Sequence, residues 1–261
     1  MASADGGRPT CTQGGGSEGE PTEGDVAKRL YLALRAEDLG TAMRCVAEAS
    51  DEELLVPSGW EQRQERPPSW PPALKAPYAT HGLTAVHVLA RDCRDVDLVR
   101  QVVTARAPHA LSEGVGKNFK GEEAEWLPMH LAAMLNSNAE VVRLMLKVGG
   151  TEQLQAKDLH GALPMIRAAQ FNSSAEVVRL LLEVGGAVQL QEKNVHGALP
   201  VHCAADSNTN PEVMRLLLEV GGAEQLQEKA RHSQLPMHLA AMNNSNAEVV
   251  RLMLKVGGTE Q

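Results

Sequence analysis

Apolar and polar positions along this chain fall into one pattern that keeps returning. From Leu127 the sequence reads LPMHLAAMLNSNAEVVRLMLKVGGTEQLQAKDLHGA, and related copies start at Leu163, Leu199 and Leu235, a beat of 36 residues. Behind Pro164, the residues Met165, Ala168 and Ala169 recur at helical spacing. A first-turn proline suits a helix, so this spacing predicts a short helix with a small-residue face. A polar break follows, Asn136-Ser137-Asn138 in one copy and Asn208-Thr209-Asn210 in another. Asn210 before Pro211 supplies an N-cap acceptor and then a preset φ, so a second helix begins there. In that helix Val141, Leu144, Met145 and Val148 fall at i, i+3, i+4 and i+7, while Glu140, Arg143 and Lys147 lie mostly on the wet side. Gly149-Gly150 ends it, and the polar run TEQLQAKDLHGA predicts an extended loop or turn before the next Leu-Pro.

A fixed period of this size marks a repeat array, in which each unit buries its apolar face only against its neighbours. Val177, Leu180 and Leu181 should then be buried between units. Two helices joined by a tight break, followed by a projecting turn, make a unit that resembles the ankyrin repeat, whose usual period is about 33 residues. The likeness rests on LPMHLAA, AEVVRLMLKVGG and the His-Gly turn, and spans roughly residues 25 to 261. It implies an all-α, ankyrin-like solenoid of stacked helix-turn-helix repeats joined by projecting turns. There are two departures from the family pattern. Extra residues appear between the helices and after the glycine pair, and leucine replaces the threonine whose hydroxyl would cap the first helix.

Residues 1–24 carry Gly, Ser, Glu and Thr with almost nothing to bury, and disorder is expected there. The whole of 25–261 reads as the array. Residues 25–56, with Val26, Leu30 and Leu34 on one stripe and then Ala42, Val46 and Ala49, predict a degenerate capping repeat. A proline-rich insertion with two tryptophans occupies 57–79, and cannot be a helix pair. Residues 80–126 read as a divergent repeat, with a second helix from Val96 to about Ala105 and an irregular link before Leu127. Regular repeats occupy 127–162, 163–198 and 199–234, and 235–261 is an incomplete last repeat. Solenoids use polar terminal repeats, so the expectation is a fragment of a longer array, with a covering surface at that end as the alternative, and a monomer unless the uncapped C-terminal end associates.

Charge and composition narrow the function. A net charge of −8 argues against nucleic acid or an anionic membrane as partner, since both need clustered Lys and Arg. No apolar run is long enough to span a membrane and the N-terminus lacks the regions of a signal peptide, so a soluble protein in the cytoplasm or nucleus is expected. Cys11, Cys45, Cys93 and Cys203 are widely spaced and read as reduced, structural thiols.

Nine histidines are present, eight of them on the beat. One series, His87, His130, His202 and His238, lies on first helices; the other, His81, His160, His196 and His232, lies at turn tips. A metal needs its ligand atoms about 2 Å away, whereas stacked units place equivalent atoms about 8 to 10 Å apart. No metal or other cofactor is therefore expected. The resemblance implies instead that the helix histidines tie one turn to the next by hydrogen bonds. Phosphate loops, nucleophile elbows and zinc-protease motifs are absent, so no enzyme activity is expected. Asp158 becomes Asn194 and then Ala230, so no acid is kept at the turns. Arg167, at a core-leucine position, is expected to snorkel outward.

The resemblance implies an inner surface made of turn tips and first-helix ends that binds another protein. Position by position, this comprises Leu159, His160 and Ala162 with Gln170 and Phe171; Val195, His196 and Ala198 with Asp206 and Ser207; and Arg231, His232 and Gln234 with Met242 and Asn243. Trp126 and Phe171 are further candidates, because aromatic anchors dominate binding hot spots, with half-buried packing as the alternative for each. Two functional classes remain open: an interaction scaffold, or the targeting region of a larger enzyme such as a kinase or ubiquitin-ligase subunit. A spacer with no ligand is a third reading.

Overall fold

The structure, a computed structural model, describes residues 25–56, 83–106, 108–112, 115–117 and 123–258. The expected tail 1–24 and insertion 57–79, together with His81, lie outside these residues. Within them the helices come in pairs. They are α1 Val26–Arg35 with α2 Leu39–Glu48, α3 Ala85–Asp92 with α4 Val96–Ala105, α5 Pro128–Leu135 with α6 Ala139–Gly149, α7 Pro164–Phe171 with α8 Ala175–Gly185, α9 Pro200–Ser207 with α10 Pro211–Gly221, and α11 Pro236–Asn243 with α12 Ala247–Gly257. First helices pack on first helices, from α1 on α3 through to α9 on α11, and second helices stack likewise from α4 to α12. The result is a two-layer, all-α solenoid. Its core runs the length of the stack, and Val177, Leu180 and Leu181 lie fully inside it.

The start and stop signals act as their chemistry dictates. Asn138, Asn210 and Asn246 cap the second helices by accepting the N–H of Glu140, Glu212 and Glu248. The two glycines of each stop do different jobs. Gly150, Gly186 and Gly222 have φ of 82°, 74° and 85°, which only glycine adopts without strain. Gly149, Gly185 and Gly221 make room: a Cβ there would stand 2.3, 1.8 and 2.0 Å from the amide nitrogen of Gln153, Gln189 or Gln225. Those buried glutamines lie over the helix end and donate to carbonyls near it, Met145 O, Leu181 O and Gly221 O, at 3.3, 3.0 and 2.9 Å.

Two features depart from the expected pattern. The run after each glycine pair is not extended but forms a 3-10 helix, Thr151–Gln155, Ala187–Gln191 and Ala223–Gln227, because it must fold back to bury Leu154, Leu190 or Leu226 beside the glutamine. The irregular link before the first regular repeat contains a short antiparallel ribbon, β1 Val115–Lys117 with β2 Glu123–Trp126.

Leu127, Leu199 and Leu235 leave no hydroxyl at the first-helix cap, and histidine satisfies a different donor there, the leucine's own N–H. Nδ1 of His130, His202 and His238 accepts the N–H of that leucine at 3.2, 3.3 and 3.0 Å. Nε2 then meets Ala156 O at 3.1 Å from His130 and Glu228 O at 3.0 Å from His202. An acceptor at Nδ1 requires a neutral ring with its proton on Nε2. Burial favours the same state, holding both histidines below the usual imidazole pKa. His87, whose cap residue is Thr84, contacts Thr84 Oγ1 and Trp126 O, both at 2.8 Å.

The polar break hides a second ladder. Asn172 Nδ2 donates to Ala133 O and Asn136 O at 2.8 and 2.9 Å, and Asn208 Nδ2 donates to Ala169 O and Asn172 O, both at 2.9 Å. Asn136 reaches back to Ala90 O and Cys93 O, and Asn244 to Ala205 O and Asn208 O. Each asparagine also accepts the N–H two residues on. One buried amide thus satisfies first-helix carbonyls of the preceding unit and starts the next turn of its own, which stitches neighbours in register.

Candidate interaction surface

The projecting turns are built on one side chain. Asp158 Oδ1 accepts the N–H of His160 and Ala162 at 2.8 and 3.0 Å, while its own N–H donates to Ala162 O at 3.1 Å. Asn194 repeats this with His196 and Ala198 at 2.9 and 3.1 Å. An Asx turn of this kind needs a left-handed residue after the tip, and Gly161 and Gly197 provide it with φ of 65° and 69°. The next turn has Ala230 in place of the acceptor and Ser233 in place of the glycine. It nevertheless closes, with Ala230 N–H on Gln234 O at 2.9 Å, and both His232 and Ser233 become left-handed at φ 58° and 56°.

Successive tips are joined edge to edge. Val195 N–H donates to His160 O at 3.0 Å and Arg231 N–H to His196 O at 2.8 Å. Lys157 pairs with Glu192 at 2.9 Å and Lys193 with Glu228 at 3.1 Å across the same junctions. Leu159 and Val195 are therefore carried into solvent, 46% and 62% exposed, in one row with His160, His196, Arg231 and His232. A second row follows the ends of the first helices, with Gln170 and Asp206 half-buried and Met242 and Asn243 exposed. There Asn243 Nδ2 donates to Asp206 Oδ1 at 2.6 Å and Ser207 Oγ to Asp206 Oδ2 at 2.7 Å.

Not every residue named from the sequence reaches a surface. Ala162 and Ala198 turn into the stack beneath the tips, and Ser207 is buried at its helix end. Phe171 packs into the core with 8% of its surface left, and Trp126 with 6%, because aromatic area at a unit junction is worth more buried than wet. Gln234 is half-buried. Arg167 does not snorkel outward. Its guanidinium closes on Asp158 at 2.6 Å, where the aspartate side chain is fully buried, and Nη1 also reaches Gln170 Oε1 at 3.4 Å. The acid at this turn and the cation at the leucine position belong together. The next units replace the pair jointly, by Asn194 with Cys203 and by Ala230 with Leu239.

A groove of about 550 Å³ opens across the helix ends of the first four units, with Leu34, Arg35, Arg91, Arg94, Leu135 and Phe171 in its walls. It went unforeseen because its key residue, Arg91, is buried. The Arg91 guanidinium lies 5.1 Å from the Tyr31 ring centre and pairs with Asp92 at 2.6 Å. Nothing local links residues 31 and 91.

His130 and His202 have both ring nitrogens engaged, as described above, and among the described residues no group of three His, Cys, Asp or Glu converges on a point. Burial pushes the Cys93 thiol to about 11 and the Cys203 thiol to about 12, far from the thiolate a nucleophile or ligand needs. No helix among the described residues is long and apolar enough to cross a membrane.

Among known families, the model described as ankyrin repeats in three copies matches residues 86–194 and 165–260. No curated protein matches the chain.

Proposed function

Because this chain belongs to the ankyrin-repeat family, whose repeats are generally protein–protein interaction modules, we propose that its array binds another protein along the turn tips and first-helix ends, as a non-catalytic scaffold. One observation carries this reading. Units that are otherwise near-copies differ where the chain meets solvent at the tips: Leu159, Val195 and Arg231 share a position, whereas the buried Val141, Val177, Val213 and Val249 do not vary. Exposure alone does not account for this, because Arg143, Arg179, Arg215 and Arg251, exposed on the second helices, are the same in all four units.

Leu159→Asp with Val195→Asp tests it. Both sites are exposed, so the array should still fold, and proteins cross-linked by the wild-type chain in cells should be lost. Val184→Asp with Val220→Asp serves as the control, on the second-helix layer, where these residues are 40% and 44% exposed. Equal capture by the two double variants would reject the tip surface.

A further inference from the structure

Resting on the reading that the tips take a protein segment, we infer that the segment is acidic and extended, with two aliphatic side chains and a carboxylate spaced three residues apart. Charge is the first reason. The chain is strongly acidic, yet along this strip each acid is already taken: Asp158 by Arg167, Glu192 by Lys157 and Glu228 by Lys193. Arg231, exposed at the equivalent tip of the next unit, has no carboxylate within ion-pair distance among the described residues. A partner that brings a carboxylate there meets a cation that no acid of the turns has taken.

Shape is the second reason. The edge-to-edge hydrogen bonds set Leu159, Val195 and Arg231 in a row at the spacing of stacked helices, about 8 to 10 Å. A polyproline-II segment rises about 3.1 Å per residue with three residues per turn, so one face returns every ~9 Å. Aliphatic side chains at i and i+3 would lie on Leu159 and Val195, and the acid at i+6 would reach Arg231.

Strain supplies a third. Ser233 holds a left-handed conformation where the two preceding units use glycine, and His232 beside it does the same. Left-handed non-glycine backbone clusters at ligand sites, and here it holds Arg231 and His232 together in the exposed row.

Three pools of short fluorescein-labelled peptides, built as aliphatic-x-x-aliphatic-x-x-Z with Z as Glu, Gln or Lys, test this by anisotropy against the whole chain. The Glu pool should bind about fivefold tighter than the Gln pool at low salt, lose that advantage at high salt, and exchange places with the Lys pool in Arg231→Glu. A Lys pool equal to or better than Glu on the wild type, or a Glu advantage that survives Arg231→Glu, overturns the acidic assignment. If all pools bind alike and Val195→Asp abolishes them, the tip surface stands and the charge assignment falls. If none binds, or Val195→Asp changes nothing while its circular dichroism matches the wild type, the tip surface falls with it.

Discussion

Residues 127–150 and 235–258 are one sequence in two settings, differing only at Leu135 against Asn243. The first is flanked on both sides by other repeats, and the second stacks on α9 and α10 alone among the described units. Their helices have the same bounds, and only the stop differs, with Gly150 at φ 82° and Gly258 at −90°. Their burial is not the same. Met134 is 1% exposed and its counterpart Met242 is 68%; Leu146 is 5% exposed and Leu254 is 60%. Met145 and Met253, which face the preceding unit in both copies, are each fully buried. Helices here are a local property, whereas the core belongs to the junction between units.

The largest break in this comparison should come from truncating one side chain in both settings. Leu146→Ala should cost about 2 to 5 kcal/mol in urea denaturation, and Leu254→Ala only about 0.5 kcal/mol, while Met145→Ala and Met253→Ala should both be costly. Similar losses at Leu146 and Leu254 would mean that the outer face of the last unit is covered in solution.

Asp158 gives the next effect. Asp158→Ala strands the Arg167 guanidinium and should cost about 3 kcal/mol, while adding Arg167→Leu, to mimic the Ala230 and Leu239 pairing, should recover most of it. A double variant as unstable as the single would show that the turn geometry, and not the ion pair, was at stake.

In the asparagine ladder, Asn172→Ala leaves buried carbonyls without donors and should cost about 1 to 3 kcal/mol. Asn244→Ala, at a half-buried position in the last unit, should cost less; amide exchange in the neighbouring units would show the difference.

Acidification should act on the interior copy. Burial keeps the folded-state pKa of His130 and His202 below the ordinary 6.5, so on acidification the unfolded chain takes up protons first. Stability is then full above 6.5 and falls as the pH drops through that value toward the depressed one. Replacing both residues with isoleucine, as at Ile166, should flatten the profile between pH 7.5 and 5.5 even though it removes hydrogen bonds. An unchanged slope would contradict the neutral-ring account.

The smallest change is at the strained tip. Ser233→Gly should stabilise by about 1 kcal/mol, read as a rise in Tm, because it removes the left-handed penalty.

Much of the fold was legible because its determinants are local. Pro164 before Met165 and Ala168, Asn210 before Pro211 and the paired glycines each act within a few residues, and the 36-residue beat repeats them. The histidine ties were foreseen from the family resemblance, and the glycine stops from their own chemistry. The asparagine ladder was also written in the sequence, as Asn136, Asn172, Asn208 and Asn244, but its partners lie 36 to 46 residues away. At the candidate surface, the exposed tips Leu159, Val195 and Arg231 followed from their place in the turn. The burial of Phe171 and Trp126 did not, because a side chain at a helix end or before a helix start can face solvent or the adjoining unit with the same local sequence.

By itself, then, the sequence determined where helices begin and end, that they recur as stackable pairs, and which turn positions vary, since each depends on backbone preferences and hydrogen bonds within one unit. Only the tertiary structure decided which apolar faces are dry, that Arg167 closes on Asp158, and that Arg91 stacks on Tyr31. Burial and pairing are set by whatever lies across the junction, and one unit's sequence carries no record of that neighbour.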